Sequence, residues 1–291
     1  MANSQHSPSS RDSTDHENIS PGQWADVRVL IVEGATAADF LQGYLTCDTA
    51  KMTTGTAQPA AICTIKGRVL ANGWAIPQPA AVGLIVHESM FATVQKFLTP
   101  YANFSKCTLN PEPAFIEINT PAADICLFTH INVGVSKVSP DTLPDQSAAM
   151  QRCLIQTHYA LISSPVSEQF LPQMLGLDSV GAVDFEKGCY LGQEIVARAQ
   201  FRGEVKRRIT SFTWTDNPPP IGATTENRDT IISVADNGVA SRGIYLRQSN
   251  ESSIKSTFMV SVEWFQYKRL IQEYAVGLSC QVQCNRDHNT Q

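Results

Sequence analysis

The run Lys187-Gly188-Cys189-Tyr190-Leu191-Gly192-Gln193-Glu194 puts a thiol, an amine, a carboxamide and a carboxylate beside two glycines within eight residues. A segment that only packs rarely needs that mixture. Gly188 and Gly192 let backbone come close to a partner or ligand. Lys187, two residues from the sulfur, is expected to draw the Cys189 thiol towards thiolate. Ile195, Val196, Ala197 and Ala199 continue an apolar pattern, which sets Gln193 and Glu194 in the first turn of a helix. A carboxylate is favourable there, beside the positive end of the helix dipole. The reactive groups then sit at a loop-to-helix junction with N–H groups facing outward.

The surrounding charge points the same way. Net charge is −5, yet Lys187 to Arg208 holds six basic residues and two acidic ones, a local +4 that leaves −9 elsewhere. Such an island on an acidic chain suits an anionic ligand; the plainer reading is a solvated helix face. The overall acidity argues against a general nucleic-acid binder. Eight cysteines are dispersed without a CxxC pair, which is not a secreted disulfide framework. No secretory leader or apolar run of membrane length is read, so the expectation is a cytoplasmic protein with free thiols and no membrane partner. Cys280 and Cys284 have helical spacing, but only His288 is near, so no metal site is assigned.

Several elements must position these groups. Val27 to Val32 alternates as a strand, and Ala37 to Tyr44 has helical spacing with Thr36 as N-cap. Ala60–Ile65 and Val69–Ile76 read as a hairpin turning at Lys66-Gly67-Arg68. Gly83–His87, Phe104–Leu109 and Ala114–Ile118 read as strands, and Ser89–Leu98 as an amphipathic helix. Thr120 to Gln151, rich in Pro, Ser and Asp, is expected to be irregular. Arg152–Ser163 fits strand or helix, and Ser167–Leu175 a short helix. After Arg208 come short β-like pieces: Ile209–Trp214, Thr230–Ala235, Gly238–Leu246 and Phe258–Trp264. Asn237-Gly238 is a hairpin signal, and together these pieces suggest a small all-β module.

The run from Phe185 to Gly203, FEKGCYLGQEIVARAQFRG, resembles the signature of the YgfZ family, folate-binding proteins of iron–sulfur cluster biogenesis also described as tRNA-modifying. Val29 to Gly34, continued by Phe40-Leu41-Gln42-Gly43-Tyr44-Leu45-Thr46-Cys47-Asp48, is similar to that family's opening motif. Ala61 to Arg68 resembles its C-x-P-K-G-R hairpin, and Leu171-Pro172-Gln173-Met174 with Leu177-Asp178 resembles the stretch leading into the signature. The match runs from about residue 27 to 208. Ile65 stands for a common proline, Ala35-Thr36 for an acidic turn residue, and Tyr44 for glutamine.

The resemblance implies an α+β fold like that of the glycine-cleavage T-protein, with a C-terminal small β-barrel. The layout would be a tail over 1–22, a folate-binding region of two intertwined subdomains over 23–208, a barrel over 209–285 and a tail over 286–291. Trp264, Phe265 and Tyr267 would be barrel core. Tetrahydrofolate would bind in a central opening. Asp48 or Glu194 would pair with the pterin edge, beside the Gln193 carboxamide, and Tyr190 or Trp74 would form the slot. Arg198, Arg202 and Lys206 would hold the glutamate tail. Lys66 and Arg68 would face the opening. Two of these groups have plain alternatives: Asp48 as a turn cap and Lys66-Gly67-Arg68 as a hairpin tip. Cys189 has three readings: a nucleophile or redox thiol, a transient ligand to iron or a cluster, or a small buried residue. The expected function is assistance to iron–sulfur assembly or repair in client proteins by a monomer, with an indirect effect on tRNA modification. Cys189 would be the essential thiol and Lys187 its tuner. A folate-dependent aminomethyl or methyl transferase is the alternative, although it would not need the thiol. A tRNA-binding module is the third reading.

Overall fold

Val29-Leu30-Ile31-Val32 is a continuous apolar run, and the strand it forms is buried on both faces, as such runs are when both sides of a sheet are covered. The computed structural model describes residues 19–248 except 129, 204, 215–217, 226–227 and 237–240. The elements in chain order are β1 (Gly22–Gln23), β2 (Val27–Glu33), α1 (Ala37–Gln42), β3 (Gln58–Cys63), β4 (Val69–Gln78), β5 (Ala81–His87), α2 (Phe91–Phe104), β6 (Thr108–Leu109), β7 (Phe115–Ile118) and β8 (Ile125–Phe128). They continue with β9 (Ile131–Ser136), α3 (Ser147–Gln156), α4 (Gln193–Phe201), β10 (Arg207–Trp214), β11 (Thr230–Asp236) and β12 (Ser241–Gln248).

The result is a mixed helix-and-sheet fold. An antiparallel sheet runs in the order β3-β4-β5-β2-β6, a second as β1-β7-β9-β8, and a third as β10-β12-β11. Side chains alternate across β2, which divides the core. Leu30 and Val32 pack with Leu41, Leu84, Val94 and Leu98 under α1 and α2. Val29 and Ile31 pack on the other side with Trp74, Ile76, Ile85, Ile116 and Val133. Asn72 on β4 fastens the extended chain that follows α3: its Nδ2 donates to Ala160 O at 2.9 Å, and its Oδ1 accepts from Ile162 N at 2.8 Å.

Some elements differ from the sequence reading. Phe104 ends α2 rather than opening a strand, and only Thr108–Leu109 is extended. The helix continues through Pro100, where Tyr101 packs on Tyr44 with ring centroids 5.2 Å apart and Phe97 lies 6.3 Å from the same ring. The 120–151 stretch is not irregular throughout. It holds β8, β9 and the start of α3, because Cys126 pairs with the chain beside it: Ala57 N donates to Cys126 O at 2.9 Å and Cys126 N to Gly55 O at 2.8 Å. Arg152 to Gln156 is helical and Ser167–Leu175 is not an α-helix. One 3-10 turn, Ser164–Val166, precedes it and another, Pro172–Leu175, forms its end, each with a proline in its first two residues. Thr36 occupies the N-cap of α1 but makes no side-chain cap, its hydroxyl donating instead to Ser105 O at 2.9 Å.

Strands β11 and β12 pair antiparallel with Asp236 opposite Ser241, while the Asn237-Gly238 tip lies outside the described residues. Among the described residues no sheet closes into a barrel, and the barrel expected over 209–285, the Phe258–Trp264 strand, Trp264, Phe265, Tyr267 and Cys280 and Cys284 extend or lie outside them.

Replacing Asn72 with leucine keeps the volume but leaves a buried N–H and C=O unmet. The expected loss is about 2–3 kcal/mol of unfolding free energy, read by urea denaturation.

Candidate functional site

The loop leaving α1 turns three carbonyls inward, and one buried ammonium meets all three. Lys187 Nζ donates to Gln42 O at 2.8 Å, Leu45 O at 2.7 Å and Cys47 O at 2.8 Å. Its fourth side faces the Tyr190 ring, 5.1 Å from the centroid. Both residues are 7% exposed. Burial lowers the Lys187 pKa from 10.5, with Cys47, Asp48 and Asp184 acting against that shift. The three N–H groups of the ammonium are given to carbonyls of the 42–47 segment, so Lys187 makes its hydrogen bonds there.

Backbone bonds extend this tie. Asp184 N donates to Thr46 O at 2.9 Å and Leu191 N to Gly43 O at 3.0 Å. Thr46, fully buried, donates through its hydroxyl to Ala182 O and accepts there from Ala61 N at 2.9 Å, which adds β3 to the same knot. Asp184 Oδ1 accepts from Glu186 N at 2.8 Å and Lys187 N at 3.1 Å, while its Oδ2 takes Lys51 Nζ at 2.7 Å.

The hairpin tip locks onto the same segment through two glycines. Gly192 is left-handed at φ +83°, and a Cβ there would lie 2.3 Å from Thr64 O and 3.0 Å from Gly67 Cα. Gly67, at φ +67°, would place a Cβ 2.9 Å from the Ile195 Cβ. Only glycine gives both the conformation and the approach. The β3–β4 turn therefore rests against the start of α4.

Cys189 lies between the two anchors at Lys187 and Leu191, and it is exposed. Among the described cysteines it alone is. Burial pushes the Cys47 and Cys63 thiols up to about 12, so neither offers a thiolate near neutrality. The small-buried-residue reading of Cys189 is excluded. Gly188 beside it has no atom within 4 Å of where a Cβ would stand, so the approach on that side is open.

The other expected residues divide. Trp74 is 2% exposed, with Tyr159 stacked on its face at 4.6 Å and Trp24 and Phe128 packed around it. It belongs to the core and offers no wall to a ligand. Tyr190 presents its face to Lys187, and burial raises its phenol pKa. Asp48 caps the turn after α1, accepting from Ala50 N at 3.1 Å and Gln42 Nε2 at 2.9 Å. Those bonds, the Gln42 one first, hold its carboxyl below 3.8. Glu194 is exposed and pairs with Arg198 at 3.1 Å. Arg68 donates to Gln169 O at 2.8 Å, and Gln193 N to Tyr190 O at 3.1 Å. Lys66, Arg198, Arg202 and Lys206 are exposed. Arg198 lies in the last turn of α4 and Arg202, four residues on, is its C-cap, its N–H donating to Arg198 O at 2.9 Å.

Gln42, Thr46, Lys51 and Asp184 build the site and were not singled out from the sequence. Gln42 has the plainest signal, lying inside the resembling FLQG run. Its Oε1 accepts from Thr49 N and Thr49 Oγ1 at 2.8 and 2.7 Å. Among the described residues no group of three His, Cys, Asp or Glu could hold a metal ion, and no helix is long and apolar enough to cross a membrane.

The comparisons agree with the resemblance. No family model matches the chain. Its homologues include proteins named tRNA-modifying protein YgfZ. The one from Sodalis glossinidius is 27% identical over 69% of this chain and 73% of its own length. Those from Escherichia coli O157:H7 and Klebsiella pneumoniae are 27% and 26% identical, covering 65% and 67% of this chain and 70% and 72% of their own. The fold is similar to glycine cleavage system aminomethyltransferase T from Bartonella henselae, with a TM-score of 0.57 at 12% identity over 80% of each chain.

Two outcomes follow from the geometry. Gly192→Ala should cost about 2 kcal/mol or more, seen as a lowered Tm, because strain and a backbone clash coincide. Gly188→Ala should leave Tm unchanged. Hydrogen bonding to Lys51, the largest influence, lowers the Asp184 pKa below 3.8. That stability is present above pH 3.8 and is lost as pH falls through the lower folded-state value. Asp184→Asn should flatten this acid limb in denaturation curves taken between about pH 5 and 2.

Proposed function

We propose that the chain binds folate and assists the assembly or repair of iron–sulfur clusters in client proteins, with Cys189 as the working thiol. The observation that carries this reading is the exposed sulfur, held between two anchors inside the segment that resembles the YgfZ signature. The homologues' shared name supports the link to tRNA modification. That link is indirect in this reading, since enzymes that thiolate tRNA themselves depend on clusters. The protein acts as a monomer on assembly or client proteins, and a soluble cytoplasmic location is part of the same proposal.

The folate part rests on the T-protein-like fold and on the basic residues around α4. Arg198 and Arg202 are exposed in the last turn and at the C-cap of that helix, with Lys66 at its start and Lys206 beyond its end, and they suit the carboxylates of a glutamate tail. Trp74 and Tyr190 do not fit a pterin slot, since both are buried and each has a ring face already taken, by Tyr159 and by Lys187. No chemical step is therefore routed through the pterin. Cys189 supplies an accessible sulfur, Lys187 and Leu191 hold its backbone, and the α4 cations hold an anion nearby. These basic residues also suit a third ligand class, RNA, although the −9 on the remainder of the chain works against a long footprint. The C-terminal barrel over 209–285 and the division at residue 208 remain part of this proposal.

Calorimetric titration with tetrahydrofolate and complementation of a deletion strain test the reading together. Arg198→Ala with Arg202→Ala should weaken tetrahydrofolate roughly tenfold, as expected when exposed charge contacts worth about 1 kcal/mol in sum or slightly more are removed. Cys189→Ala should bind it normally yet fail to restore cluster-dependent enzyme activities. Normal activities in that variant, with folate binding intact, would sink the thiol's assignment. Turnover of a one-carbon donor would favour a transferase instead.

A further inference from the structure

The Lys187 cage has the make-up of a cation site. Three backbone carbonyl oxygens lie 2.7 to 2.8 Å from one charged nitrogen, with a ring face on the remaining side. Carbonyl rings of this kind replace the hydration shell of a monovalent ion in selectivity filters. Here the ion is carried by the chain itself. The carbonyls belong to residues 42, 45 and 47, and the loop between them receives two further bonds from the 184–191 segment, Asp184 N to Thr46 O and Leu191 N to Gly43 O.

We propose that Lys187 is a positioning residue whose ammonium is the fixed cation around which the 42–47 loop closes, and that this fixes the Cys189 sulfur in place. Cys189 sits two residues after the Lys187 anchor and two before the Leu191 anchor, and both anchors end on the same loop. The sulfur is thus free to meet a reagent while its backbone is held on both sides. Lys51 ties the arrangement from outside, bridging Asp184 at 2.7 Å and Asp48 at 3.7 Å. Only the importance of the sulfur rests on the proposed function. The cage and the anchoring stand without it.

This differs from electrostatic tuning in what it forecasts. A tuner acts through charge, so its removal shifts the pH dependence of thiol reactivity. A positioning cation acts through loop closure, so its removal changes access and mobility. It is also replaceable by a free ion of the same size and charge.

The test uses the full-length chain, Lys187→Ala and Lys187→Met, with no folate added. Alkylation of buried Cys47 by a neutral bulky maleimide, and of exposed Cys189 by iodoacetamide across pH, is followed by peptide mass spectrometry. In both variants the maleimide rate should rise roughly tenfold, the local opening released by losing charge-assisted hydrogen bonds. The midpoint of the pH profile should stay where it is in the unaltered chain. Ammonium chloride should return Lys187→Ala to the slow rate and raise its Tm by about 3 °C over sodium chloride at equal ionic strength. Lys187→Met should not respond, since its side chain fills the cage. If Lys187→Ala folds only in ammonium, the proposal holds. If it folds in neither salt, Lys187→Met decides through its rate and pH midpoint. An upward shift of the midpoint in Lys187→Met with an unchanged maleimide rate, or equal behaviour of Lys187→Ala in ammonium and sodium, would overturn it. Loss of folate binding alters none of these readouts, so its failure is separable.

Discussion

Three inward carbonyls, at the end of α1 and in the loop after it, impose the constraint on which the site depends. Buried backbone oxygens need partners, and the loop from Gln42 to Cys47 obtains them from a residue at least 140 positions away in sequence. A lysine is suited to this task. Its head faces the Tyr190 ring and offers three hydrogens to diverging acceptors. Arginine's planar fork does not have that geometry. Burial of the charge is costly, which is why the pKa falls, but the carbonyl dipoles and the ring quadrupole offset the loss of water.

That arrangement separates the charges around Cys189 into two layers. The inner layer is the Lys187 ammonium, already satisfied. The outer layer is Lys51 between Asp48 and Asp184, with these carboxylates also accepting backbone N–H groups. The deeper thiols, Cys47 and Cys63, are kept protonated by burial. Depth thus separates these two thiols from the exposed Cys189.

How much of this was legible in the sequence depends on the distance over which each feature is decided. β2, the β3–β4 hairpin and α4 are local. Their apolar period and turn residues determine them, and the structure places them at Val27–Glu33, Gln58–Cys63 with Val69–Gln78, and Gln193–Phe201. The extension of α2 past Pro100 is not local, because aromatic packing onto Tyr44 sustains it. β8 was hidden in a polar, proline-rich window: it is four residues long, pairs with the adjacent β9, and gains its distant bonds, to Gly55 and Ala57, only through Cys126. The special character of Lys187 was visible, but the direction of its side chain was not. Spacing of two from a cysteine says nothing about where a four-carbon stem turns. Trp74 shows the same limit, since an aromatic on a sheet reads alike whether it lines a slot or stacks inside a core on Tyr159.

The glycine pair connects the thiol segment to the cations. Because Gly67 and Gly192 occupy each other's side-chain space, the hairpin tip must rest at the first turn of α4. That sets exposed Lys66 beside the positive end of the helix, where a cation is ordinarily unfavourable. Glu194, in the first turn, is engaged with Arg198 and offsets only part of this. Arg198 and Arg202 stand at the opposite, C-terminal end, where cations are favoured, so Lys66 alone opposes the dipole and an anion beside it would relieve that cost. The pull towards an anion at Lys66 therefore follows from the hairpin's docking.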